Sequence, residues 1–163
     1  MDGCPICHEN AQSDMGTDPL LVARLRTGYV RFAPTQYFKG SLFFAAKQCV
    51  RELFDLEINV RKIHLEEMAE VSAAANQAFK PRKLNIESLG NGVPHLHWWI
   101  TPRYDTDPRP GGPIWEDLDF LRELWSKGSR APTGDLVLMR ISFLHALSTR
   151  DVTIEFTPQS QPG

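Results

Sequence analysis

Two short apolar-rich runs, residues 20–25 and 29–32, flank Thr27-Gly28 and predict a β-hairpin. Residues 40–46 are apolar throughout except for Ser41, which predicts a third strand with Cys49 just past its end. From 57 to 79 the chain holds neither proline nor glycine, and Val60, Ile63, Val71, Ala74, Ala75 and Ala78 fall near one helical face. That pattern predicts the longest helix, about 30 Å, closed by Pro81. A strand over 84–87 then leads through Gly90-Asn91-Gly92 into a buried strand over 93–100. Residues 105–113 read as a surface loop with little order of its own, 114–125 and 135–147 as helices, and 152–156 as a late strand.

The run 93–100 carries the most chemistry. Alternate residues of a strand share a face, so His95, His97 and Trp99 are expected to point the same way, the two imidazoles roughly 7 Å apart. Two histidines so placed can chelate a metal or divide the roles of ligand and nucleophile. The Gly90-Asn91-Gly92 tripeptide ahead of them exposes N–H groups able to hold an anion, or serves as a plain turn. His64 and Glu67, on or beside the long helix's apolar stripe, read as a hydrogen-bonded structural pair.

Composition narrows the field. A chain of 163 residues, 42% of them hydrophobic, supports one ordinary domain. A net charge of -2 leaves no basic footprint for duplex nucleic acid. No apolar run is long enough to span a bilayer, and the start Met1-Asp2-Gly3-Cys4 lacks the pattern of a signal peptide, so the chain is expected in the cytoplasm. Three cysteines in that setting argue for thiols or metal ligands over disulfides. Cys4-Pro5-Ile6-Cys7 has the spacing of half a zinc site, of a redox pair, or of a chance pairing at a mobile terminus.

In this order these residues resemble the histidine triad superfamily of nucleotide hydrolases and transferases. The correspondence runs through Cys4/Cys7, the glycine-led strand from Gly40 to Cys49, the helix from Glu57, Asn85, the Gly90–Gly92 turn, His95/His97/Trp99 and Pro102-Arg103. It covers roughly residues 4–116. The resemblance implies an α+β fold, an antiparallel sheet of about five strands with a long helix packed across it. It makes 1–116 the triad-like domain; the tail beyond is not explained by it, and 117–163 is expected to be a C-terminal helical extension packed on the same domain. A homodimer is also implied, with residues 111–115 and the helix from Ile114 as a candidate contact; Trp115 is alternatively a core anchor.

In zinc-bearing members the metal sits on two N-terminal cysteines, a histidine after the glycine-led strand and the first triad histidine. The resemblance therefore implies a structural Zn2+ on Cys4, Cys7, Cys49 and His95, with thiolate replacing imidazole at the third place; His8 is the competing fourth ligand. It makes His97 the catalytic residue, which attacks the α phosphorus of a nucleotide or nucleotide conjugate, and Asn85, Asn91, Gly92 and Trp99 the substrate-binding groups. Two departures stand out. Trp99 replaces the third histidine and cannot shuttle a proton at neutral pH, although the galactose-1-phosphate uridylyltransferase branch works with glutamine there. The loop where many members hold ribose with an acidic side chain reads Ala33-Pro34-Thr35-Gln36. The expected function is a nucleotidyl hydrolase or transferase acting through a nucleotidyl-His97 intermediate. The alternatives are a zinc-stabilised nucleotide-binding protein with little turnover, and diverged chemistry with His97 as general base or both histidines on an open zinc.

Overall fold

The computed structural model describes residues 3–125 and 133–158; Met1, Asp2 and the remaining parts of the expected 117–163 extension lie outside them. The chain opens on helix α1 (Pro5–Asp14) and the hairpin β1 (Leu21–Leu25) and β2 (Gly28–Phe32). It continues through β3 (Leu42–Ala46), α2 (Ile58–Phe79), β4 (Lys83–Glu87) and β5 (His97–Arg103) to α3 (Leu118–Trp125), α4 (Thr133–Ser148) and β6 (Ile154–Phe156). The strands form one antiparallel sheet in the order β4-β5-β3-β2-β1-β6. This is the expected α+β architecture with six strands in place of about five, because residues 154–156 pair with Arg24 and Leu25.

Strand alternation gives the sheet two unlike faces. Val30, Phe32, Leu42, Phe44 and Ile100 point to one side and form the core with Val71, Ala74 and Ala75 of α2 and Met139, Phe143 and Leu147 of α4. Alanines at the α2 contact let the helix approach closely. Gly28 is required in β2, since a Cβ there would stand 2.4 Å from the Phe44 ring. Gly40, at φ +84°, both turns the chain into β3 and leaves room for Phe79. α2 ends on Lys80, a left-handed cap whose N–H returns to the Asn76 carbonyl, immediately before Pro81.

His64 and Glu67 are buried on α2, as a structural pair should be, but Thr27 in the hairpin turn joins them. The Trp98 indole N–H donates to His64 Nε2 at 3.1 Å, His64 Nδ1 lies 2.9 Å from the Thr27 hydroxyl, and that hydroxyl donates to Glu67. Backbone N–H groups of Arg26 and Thr27 complete the Glu67 carboxylate at 2.8 and 3.0 Å. Every polar atom in this buried chain is satisfied, so it ties the hairpin, α2 and β5 together without an orphaned group.

Three local expectations are revised. The N-terminus is a ten-residue helix, held on the other sheet face by Asn10 donating to the Ala46 carbonyl and by Arg31 donating to Asn10 and Ser13. The loop after Tyr104 is organised around Arg103, which is 1% exposed and donates to Asp107 and to the carbonyls of Arg109 and Gly112. The segment 114–125 is a short 3-10 turn followed by α3, with Ile114 packed on Phe38 while Trp115 stays exposed. Trp115 is therefore not a core anchor.

Candidate functional site

β5 begins at His97, later than the run 93–100 suggested, because Pro94 cannot donate to a ladder and His95 folds into a turn onto the Val93 carbonyl. The two histidines consequently serve different neighbourhoods instead of sharing a strand face. His95 is fully buried beside α1 and the end of β3. Its Nε2 is 2.8 Å from the Ala46 carbonyl, an acceptor only, so Nε2 carries the proton and Nδ1 keeps its lone pair. That Nδ1 lies 3.5 Å from both Cys4 Sγ and Cys7 Sγ.

Cys4 caps α1 and Cys7 lies in its first turn, so the Cys-x-x-Cys spacing becomes one helical turn with both thiols on one side. Cys49 arrives from beyond β3, and the four ligand atoms of Cys4, Cys7, Cys49 and His95 lie within 4.8 Å of one another. The geometry can be tested against a metal. Zinc–sulfur bonds of about 2.3 Å and zinc–nitrogen bonds of about 2.0 Å in a tetrahedron place S and N about 3.5 Å apart, which matches the 3.5 Å observed. Burial and the neighbouring Cys49 and Cys4 sulfurs push the Cys7 thiol up to about 12, so it ionises near neutral pH only where a cation offsets that cost. His8 is exposed on α1 and outside the cluster.

His97 is buried on the sheet face opposite α2 and α4. Its Nδ1 is 2.6 Å from the His95 carbonyl, which fixes the proton on Nδ1 and leaves Nε2 as a free lone pair. Burial pushes this imidazole below its ordinary range, against the nearby His95 and Leu89 carbonyls. The Phe43 ring stacks on it at 4.7 Å and meets Trp99 edge-on at 5.2 Å, so three rings line one wall. Sequence reasoning missed Phe43, which looks like any strand residue until register places it beside Trp99.

Asn85 lies across from Thr101 on the same face, and its Oδ1 accepts from Arg103 at 3.3 Å, which directs the amide NH2 away from that contact. Asn91 and Gly92 sit exposed in the loop ahead of His95, where nothing lies within 4 Å of a Cβ built on Gly92. The loop 33–36 is tied internally. Gln36 donates to the Ala33 and Ser41 carbonyls and accepts from the Gly40 N–H.

Residues 40–106 match the family model described as HIT domain. Solved structures share its fold. A histidine triad protein from Sinorhizobium meliloti is 21% identical with a TM-score of 0.66, over 78% of this chain and 88% of that one. A hypothetical histidine triad nucleotide-binding protein from Sulfolobus tokodaii is 12% identical with a TM-score of 0.66, over 88% and 93%. A Zn-bound histidine triad family protein from Mycobacterium smegmatis is 14% identical with a TM-score of 0.61, over 91% and 98%. No curated protein matches the chain. Among the described residues no helix is long and apolar enough to cross a membrane.

Proposed function

We propose that this chain is a nucleotidyl hydrolase or transferase that works on a nucleoside phosphate or dinucleoside polyphosphate through a covalent nucleotidyl-His97. The observation that carries this reading is the His97 Nδ1 contact with the His95 carbonyl, 2.6 Å long, which orients the ring and keeps Nε2 nucleophilic. Attack by Nε2 on phosphorus requires donors for the phosphate oxygens; the Asn85 amide and the backbone N–H groups of Asn91 and Gly92 fill that role. Trp99 and Phe43 offer apolar surface to a base or to an aromatic leaving group.

Cys4, Cys7, Cys49 and His95 would hold zinc, and four protein ligands make that ion a structural clamp with no place for a reactive water. The clamp has a direct bearing on catalysis. His95 supplies the carbonyl that orients His97, and the Ala46 carbonyl holds both the His95 ring and Asn10 of α1. Fixing His95 therefore fixes the nucleophile. The M. smegmatis relative described as Zn-bound supports the same reading.

Incubation with adenosine and uridine polyphosphates followed by intact-mass measurement tests it. The expected result is a nucleotidyl adduct or cleaved product in the wild type and neither in His97→Ala. Tight binding without adduct or product favours the nucleotide-binding protein instead, the alternative that Trp99 in place of a proton-shuttling histidine keeps open.

A further inference from the structure

Position 99 leaves one task of such a reaction unassigned. When His97 displaces an alkoxide or phosphate, the departing oxygen needs a proton, and indole has none to give at neutral pH. β4 presents a carboxyl to the same place. Glu87 is the direct cross-strand partner of Trp99, and side chains of directly opposed residues share a face. Their Cβ atoms are therefore about 5 Å apart, and the diagonal step to His97 is about 7–8 Å. A group carried on position 87 addresses the volume that a group on position 99 would reach.

The surroundings of Glu87 have no structural use for its charge. Its carboxyl forms no hydrogen bond or ion pair among the described residues. The nearby cation, Arg103, spends its donors on Asp107, Asn85 and the carbonyls of Arg109 and Gly112. Burial pushes the Glu87 carboxyl up, with Arg103 acting in the opposite direction. A neutral carboxyl beside a phosphate avoids like-charge repulsion and has a proton to give.

We propose that Glu87 is the general acid for the leaving group in this chain, replacing the proton donor that Trp99 has displaced from the triad. The proposal rests on His97 being the nucleophile. In the first step the bond from His97 Nε2 to phosphorus forms, the bond from phosphorus to the leaving oxygen breaks, and the Glu87 proton moves to that oxygen. In the second, a water or other hydroxyl attacks phosphorus as the nitrogen–phosphorus bond breaks, and the Glu87 carboxylate takes the attacking group's proton. The acid is thereby restored.

The test compares two adenosine 5′-phosphate esters, one of p-nitrophenol, which leaves without protonation, and one of a simple alcohol, which does not. Single-turnover adduct formation is followed by mass in the wild type and in Glu87→Gln, a change that keeps the side chain's shape. Adduct formation from the alcohol ester is expected to fall about 10²-fold in Glu87→Gln, with a far smaller loss for the nitrophenyl ester. Adding Trp99→His to Glu87→Gln should recover rate on the alcohol ester alone. Equal rates for wild type and Glu87→Gln on both esters, or equal losses on both, would overturn the role of Glu87 while leaving His97 as nucleophile. Absence of any wild-type adduct from the nitrophenyl ester would instead remove the nucleophile reading and this proposal with it.

Discussion

Acidification should destabilise this protein through His64, and the size of the effect follows from its hydrogen bonds. The Trp98 N–H occupies Nε2, so a second proton on the ring would set two donors against each other in a fully buried site. Burial pushes this imidazole down to about 4 from its ordinary 6.5. Between those values the unfolded chain binds a proton that the folded chain refuses, so stability falls as pH drops through the window. From pH 7 to pH 5 the loss comes to about 2 kcal/mol, or a fall in Tm of roughly 4–8 °C. Glu67 and Glu9 act in the other direction, since burial raises both carboxyls. Both remain in His64→Gln, whose amide can accept from Trp98 and donate to Thr27 without taking up a proton. The difference between the wild-type and His64→Gln melting curves across that pH range isolates the imidazole. Parallel curves would refute the assigned direction of the hydrogen-bond chain.

Three further outcomes are expected. Cys49→Ala should lose bound zinc by elemental analysis and melt far below the wild type, since structural zinc sites contribute on the order of 10 kcal/mol; full zinc content with an unchanged Tm would break the ligand set. His97→Ala should abolish turnover of a nucleoside polyphosphate while keeping zinc and Tm, whereas His95→Ala should lose zinc, stability and turnover together; the reverse pattern would exchange their roles. Arg103→Ala should cost about 3–5 kcal/mol in urea unfolding, because it leaves the buried Asp107 carboxylate unpaired, and a loss under 1 kcal/mol would show that residues 104–112 hold themselves.

What the amino-acid pattern reveals depends on how each element earns its burial. The hairpin, β3 and α2 bury apolar side chains, so periodicity locates them; the cluster of Cys4, Cys7, Cys49 and His95 is equally legible because the chain has only three cysteines and all of them enter it. α1 is different. Of its buried residues only Ile6 is apolar, while Asn10 and Ser13 are buried through hydrogen bonds to Ala46 and Arg31. No apolar stripe exists to be read, and the partners lie far along the chain. Arg103 likewise counts as a polar surface residue until the carbonyls that surround it are known. The histidines add a further step, since Pro94 halts the ladder and sends His95 to the cysteines while His97 starts the strand. Alternation in the sequence places both on one face, yet the division of labour between them comes from that break. Glu87 and Phe43 go further still: neither is unusual in composition or spacing, and each meets Trp99 only through cross-strand register. Register depends on how β3, β4 and β5 align, and since a one-residue slip would turn either side chain to the helix-covered face, the same packing that holds the core also assembles this wall.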